Sequence, residues 1–271
     1  MAINDISLTA GMRSNLLQLQ GTTKLIDRTQ ERLSTGKQVN SALDNPTNFF
    51  AAQAHNNRSA DFAVRKDGMS EAIQTVKAAD AGISAITSLV QAAKGLASSA
   101  LSSATTADRV ALGNQYSQLQ TQITQLANDS VYRGTNLLKT DTMTVLFNEN
   151  GDSSLDVEGF NATAAGMTLN TVTSGWSDIT SIQADASALD TAIGELRSQS
   201  KALSNNLNII TNRQNFTDAM MGTLQTGADN LTLADMNQEG ANMLMLQTRQ
   251  NLSTTALSLS SQAAQSVLRL F

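Results

Sequence analysis

The feature that most constrains this chain is an apolar, heptad-like stripe at each of its ends. In the C-terminal segment, Leu252, Ala256, Leu259, Ala263, Val267 and Leu270 advance in steps of four, three, four, four and three. That spacing draws one apolar line along a helix, as a coiled-coil seam does. No proline interrupts the segment, and no glycine follows Gly240. The line runs on to Leu270 and Phe271. Helix ends fray unless something ties them down, so this segment is expected to have a partner.

The opposite end offers one. Leu8, Met12, Leu16, Leu19, Thr23, Ile26, Gln30 and Leu33 repeat in steps of four and three, with Thr23 and Gln30 as weak links. Arg13, Lys24, Arg28 and Arg32 fall mostly off that seam. A helix of 26 residues from Leu8 to Leu33 spans roughly 40 Å, and a helix with one apolar stripe cannot bury it alone. The terminal helices are therefore expected to pair. The pair sits either within one monomer or, in addition, against copies from other subunits, and composition does not choose between these.

Charged residues make up 15% of the chain and aromatic residues 4%, against about 25% charged in ordinary globular proteins. Ala, Ser, Thr, Asn, Gln and Leu fill the difference, a mix suited to long helices packed through small side chains. With a net charge of −5 and no basic block, nucleic acid is not an expected partner. The absence of cysteine excludes disulfides, thiolate zinc sites and thiol catalysis. The first residues, MAINDISLTAGMRSN, lack a basic stretch followed by an apolar core, and no 18-residue apolar run occurs. Neither a cleaved signal peptide nor membrane insertion is expected.

Along the chain, Gly36 is the natural stop of the first helix, and residues 36–47 form a turn-rich connector holding the only proline, Pro46. Helical periodicity resumes from Thr47 to Ala104, read as one very long helix or two with a break, the break near Gly68 or slightly before it being favoured. A loop at 102–107 leads into a further helix ending near Asn128. Residues 129–175 change character. Val131–Leu138 suggests a short extended hairpin, and Met143–Phe147 and Leu155–Phe160 suggest strands joined by a turn with an Asn-Gly signal. A further short strand is possible at 161–175. Helical period returns from Ser181 to Gly227, and a weak junction at Asn230–Asp235 precedes the terminal helix. The fold class is therefore mainly α: a nested long-helix bundle with paired N- and C-terminal coiled-coil helices and a small β-hairpin insert.

Little in the sequence carries catalysis. His55 is the only histidine, which leaves no histidine-based triad or metal motif. Asn148, Asn150 and Asp152 occupy calcium-loop spacing, but Ser153 and Gly159 stand where such a loop needs glycine and glutamate. Two S-x-x-K matches, at Ser34–Lys37 and Ser198–Lys201, lack their companion motifs. No enzyme and no cofactor is expected.

Five stretches together resemble bacterial flagellin. Arg32 to Ala42 with Asp44-Asn45 is similar to that family's N-terminal signature, and Tyr132 to Leu138 to its aromatic-x-Gly-x-x-Leu-Leu turn. Asn212-Arg213-Gln214-Asn215-Phe216, then Ala234-Asp235 with Glu239, then Ser266-Val267-Leu268 complete the set. The resemblance implies a self-assembling subunit of the extracellular flagellar filament, used for swimming motility and exported unfolded by the flagellar type III apparatus. It implies a homopolymer served by an export chaperone, a cap and hook-junction proteins. It also implies an inner-core domain of residues 1–46 plus 228–271, a long-helix shell of 47–138 plus 177–227, and a variable insert of 139–176. Assembly is expected to rest on Leu8, Met12, Leu16, Leu19, Ile26, Leu33, Leu252, Ala256, Leu259, Ala263, Val267 and Leu270. Ser34, Thr35, Gly36, Lys37, Asn40 and Asp44 form the connector signature. The proline of Asp44-Asn45-Pro46 keeps a hook–filament junction protein open as the alternative. A third reading makes the insert an adhesive surface using Trp176 and Phe160.

Overall fold

The computed structural model describes residues 10–169, 172 and 175–268. Among them are helices α1 (Ala10–Thr35), α2 (Pro46–Leu101) and α3 (Thr106–Asp129), strands β1 (Thr142–Leu146) and β2 (Ser154–Glu158), and helices α4 (Ile179–Thr232) and α5 (Met236–Leu268). The chain divides into two compact units, one of residues 1–57 with 223–271 and the other of residues 58–222.

The second unit is built around α2, α3 and α4. On α2 the buried positions are Met69, Ala72, Val76, Ala79, Ile83, Ile86, Val90, Ala93, Ala97 and Ala100, an unbroken alternation of three and four. Five alanines in that line let the neighbouring helices approach closely. On α4 the facing line is Ile182, Leu189, Leu196, Leu203 and Ile210, one per heptad. Polar links on the rim show that α2 and α4 run antiparallel: Lys94 pairs with Asp190, Ser200 donates to Asp80 at 2.8 Å, and Lys66 meets Asp218 at 2.6 Å. The break expected near Gly68 does not occur, and α2 is continuous for 56 residues. Gly68 is exposed with open space around it. The helix continues because Met69 and Ala72 immediately beyond are locked in the core, which outweighs the ~1 kcal/mol propensity penalty of one glycine.

The α2–α3 loop ends at Thr105, whose hydroxyl accepts from the Asp108 amide at 3.1 Å and caps α3. At the other end of α3, the buried Asn136 donates through Nδ2 to the carbonyls of Ala127 and Asn128 at 2.8 and 3.1 Å. It also accepts from the Leu138 amide at 2.9 Å. This seats Leu137 and Leu138 in the core, so the Tyr132–Leu138 stretch is a bridge and turn rather than a full hairpin. Gly82 makes the seating possible, since a Cβ there would lie 2.6 Å from Leu138 Cδ1 and 2.4 Å from Ser130 Oγ. Tyr132 Oη donates to Glu71 at 3.0 Å and Arg133 pairs with the same carboxylate at 3.0 Å, tethering the turn to α2.

β1 and β2 pair antiparallel, with Val145 opposite Leu155 and Met143 opposite Val157. Val145, Phe147 and Val157 are buried in the helical core, and Arg213 of α4 lies 5.1 Å above the Phe147 ring. No further strand is found among the described residues of 161–175. Trp176 is 1% exposed, stacks on Tyr116 at 4.8 Å and donates through Nε1 to the buried Asp185 at 2.7 Å. It is a core residue, which removes it from the adhesive surface considered above. Phe160 is half-buried against the same core.

Burial pushes the Tyr116 hydroxyl up to about 12, and the charge of Asp185 adds to the effect. The folded state therefore keeps its proton where the unfolded chain loses it. The stabilisation is complete below the ordinary tyrosine range and fades as pH rises from about 10 towards 12. Urea unfolding at stepped alkaline pH should show wild type losing up to about 2 kcal/mol over that window. Tyr132 is also raised, through its bond to Glu71, so some loss remains in Tyr116→Phe, and the Tyr116 share is the difference between the two proteins. Identical pH dependence in both would contradict the assignment.

Candidate assembly surface

The first unit is organised by the corner where α1 ends and α5 begins. Gly36 adopts φ +70, and its amide closes the last turn of α1 on the Arg32 carbonyl at 2.8 Å; glycine takes that conformation without steric cost. The chain then zips onto the α4–α5 junction. Gln38 N and Val39 N donate to Thr232 O at 2.7 and 3.3 Å, and Ala234 N donates to Gly36 O at 3.0 Å. Lys37 bridges Leu233 and its amide donates to Thr35 Oγ1 at 3.2 Å, while Ser34 is exposed.

Asp44 folds the rest of the connector. Its carboxylate accepts from the amides of Ser41 and Asn40 at 3.0 and 3.2 Å and from the Ser41 hydroxyl at 3.2 Å, with Arg28 at 3.8 Å. The Ser41 amide is the largest of the effects holding this carboxyl below the usual aspartate range, with Asn40, the Ser41 hydroxyl and Arg28 adding to it. The stabilisation is present above the ordinary aspartate value and is lost as pH falls through the lowered one. Asn40 Nδ2 also donates to Lys37 O at 3.3 Å. Asn45 Oδ1 then accepts from the Asn48 amide at 3.1 Å and caps α2, whose first residue is Pro46.

From this corner α1 and α5 fold back on one another. Met12, Thr22 and Thr29 are buried on α1, with Leu16, Leu19, Ile26 and Leu33 half-buried between them. Thr22 and Thr29 thus take the weak seam positions assigned by spacing to Thr23 and Gln30, both of which are exposed. On α5 the covered line is Glu239, Met243, Leu246, Gln250, Ser253, Leu257, Ser260 and Ala264. It also repeats in fours and threes, but it is not the apolar line the spacing singles out. Leu252 is 66% and Leu259 61% exposed, and Ala256 and Ala263 are exposed with them. Val267 lies in α5, but its side chain is outside the described residues, as are Leu8 and Leu270 altogether.

One buried ion pair locks the corner. Arg32 donates to Glu239 at 2.8 Å, their side chains being 18% and 8% exposed. Spacing put Arg32 off the seam, yet it closes it, because the last turn of α1 tucks under the first turn of α5. The signal was available: Glu239 stands seven residues before Leu246, at the same heptad position.

The face of α5 turned away from α1 carries Leu244, Met245, Leu252 and Leu259, between 52% and 67% exposed. Leu244, Met245, Thr248, Arg249 and Leu252 line a shallow notch of about 380 Å³. Large exposed apolar stripes mark surfaces that another protein covers. Among the described residues no helix is long and apolar enough to cross a membrane.

The sequence pattern of the bacterial flagellin N-terminal helical region matches residues 3–142. Flagellin FljM of Caulobacter vibrioides is 29% identical over 276 residues, covering 100% of both chains. A flagellin of Brucella melitensis is 27% identical, covering 99% of this chain and 97% of its own. A crystal structure of Bacillus cereus flagellin aligns with TM-score 0.48 and 19% identity, over 55% of this chain and 88% of that one.

Removing one partner of the ion pair strands the other. Glu239→Ala is expected to lower the stability of the α1–α5 pair by roughly 3 kcal/mol, read by hydrogen exchange at Leu246 and Leu257. The charge-swapped double variant Arg32→Glu/Glu239→Arg should recover part of that loss. A double variant no better than the worse single one would show that the pair is not coupled.

Proposed function

The chain belongs to the bacterial flagellin family, and on that premise we propose that the outward stripe of α5 is where successive copies meet. It is a structural subunit of the flagellar filament, and its work is mechanical, done by packing rather than by chemistry. The observation that carries the assembly reading is the exposure of Leu252 and Leu259 on a helix whose other side is already taken by α1. A stripe on one subunit that fits a different surface on the next is a heterologous contact, and such contacts propagate into helical filaments when they do not close a ring. Leu16, Leu19, Ile26 and Leu33 serve the intrachain seam in this account; Leu252, Ala256, Leu259 and Ala263 serve the contact between copies. Ser34, Thr35, Gly36, Lys37, Asn40 and Asp44 shape the corner that aligns the two.

The filament lies outside the cell, and the subunit reaches it unfolded through the flagellar type III apparatus, with an export chaperone, a cap and hook-junction proteins as partners. What supports this route is a chain without cysteine that has no covalent crosslink to undo before threading. The hook–filament junction alternative rested on Pro46. That proline stands at the first residue of α2, where its missing N–H and fixed φ suit any helix start, so its presence has a local cause.

Leu259→Asp tests the assembly surface. The side chain is exposed in the single chain, so the variant should fold with wild-type circular dichroism and unfold within about 0.5 kcal/mol of wild type. In the filament the same charge would be desolvated without a partner, at a cost of several kcal/mol per contact, and polymerisation should fail by electron microscopy. Filaments of normal length and yield would refute the surface.

A further inference from the structure

The hairpin tip carries the sequence's one Asn-Gly pair, Asn150-Gly151, which the filament role leaves without a task. Such a pair can lose its side-chain amide, because a glycine offers no Cβ to block its own nitrogen from the asparagine side chain. The Gly151 nitrogen bonds to Asn150 Cγ, the Cγ–Nδ2 bond breaks, and ammonia departs. Water then opens the cyclic imide at either carbonyl and leaves aspartate or isoaspartate. One water is consumed, one ammonia is released, and no oxidant or reductant is needed. The product adds one negative charge to a chain whose formal net charge is −5.

Two features of the tip bear on whether this happens. Asn150 is exposed, and its side chain makes no hydrogen bond among the described residues, so the reactive amide is free. The attacking nitrogen is not. Gly151 N donates to Asn148 Oδ1 at 3.0 Å, the same oxygen accepts from Ser153 N at 3.2 Å, and Asn148 Nδ2 is bonded in turn to Asp152 Oδ1. Glu149, between the two asparagines, is clamped by Arg58 of α2 at 2.6 Å, and Gly151 is set at φ +78. The Gly151 N–H must leave its acceptor, and the turn must open, before the nitrogen can reach Cγ.

We propose that Asn150 is a site of spontaneous deamidation and that Asn148 governs its rate by holding the Gly151 amide. Asn148 is thus a positioning residue for a modification of its neighbour. The modification recharges the tip of the insert slowly, in proportion to the age of the subunit.

The test incubates the purified full-length chain at mildly alkaline pH. Isoaspartate and the accompanying mass gain at Asn150 are followed beside a peptide spanning residues 146–155. Wild type should form the product more slowly than the peptide. Asn148→Ala should form it about fivefold faster than wild type, the scale of one hydrogen bond. Asn148→Asp keeps an acceptor oxygen for Gly151 N and Ser153 N and should stay near wild type, which separates loss of the acceptor from general loosening of the tip. Equal rates in wild type and Asn148→Ala would overturn the role of Asn148, as would equal acceleration in both variants. No product at Asn150 in any full-length protein after the peptide has converted would overturn the site.

Discussion

A helix paired with a single partner can bury only one of its faces, and the first unit of this protein is built on that limit. α5 has two lines with coiled-coil spacing, and α1 covers one. The covered line is the poorer: Gln250, Ser253 and Ser260 alternate with Met243, Leu246 and Leu257, and two of the buried positions on α1 are the threonines Thr22 and Thr29. The richer line, through Met245, Leu252 and Leu259, is left outside. Within the chain the arrangement wastes apolar area worth about 25 cal/mol per Å² if covered. On the proposed account a subunit that polymerises recovers it at the next copy. The weak seam needs only to hold α5 in the right rotation, and the Arg32–Glu239 pair with the Gln38–Thr232 zipper does that at the corner. A buried ion pair seldom adds much stability over an apolar replacement, but it can fix register where apolar contacts are interchangeable.

The second unit is furnished differently. Its α2 and α4 lines are apolar at nearly every turn, and the insert closes the bundle with Val145, Phe147, Val157 and Trp176. Among the described residues its buried core is continuous within the single chain. On the proposed account, the difference between the two units is the difference between a fold that is finished in the monomer and one that is finished by assembly.

How much of this was legible follows the same line. The long helices, the connector stop at Gly36, the Asn-Gly turn and the pairing of the chain's ends were all readable, because each rests on local chemistry or on one dominant period. What periodicity could not give is rotation. A helix with two stripes presents the same spacing twice, and the more apolar stripe was assigned to the seam although α1 covers the other. Arg32 was misplaced for a related reason: charge argues for the surface unless its partner is known, and Glu239 lies far away in sequence. The break expected at Gly68 failed because intrinsic propensity is a small term beside a continuous buried line. Trp176 was read as part of an adhesive surface, and only the buried Asp185 and the ring of Tyr116 explain why it turns inward.

The most direct test of the central claim uses the absence of native cysteine. Leu259→Cys and Leu257→Cys place one thiol on the outward line and one on the covered line, and each is reacted with a maleimide before and after polymerisation. The account predicts that position 259 reacts quickly in the monomer and is strongly protected in the filament. Position 257 should be slow in both states. If position 259 stays as reactive in the filament as in the monomer, the outward stripe of α5 is not the surface on which subunits assemble.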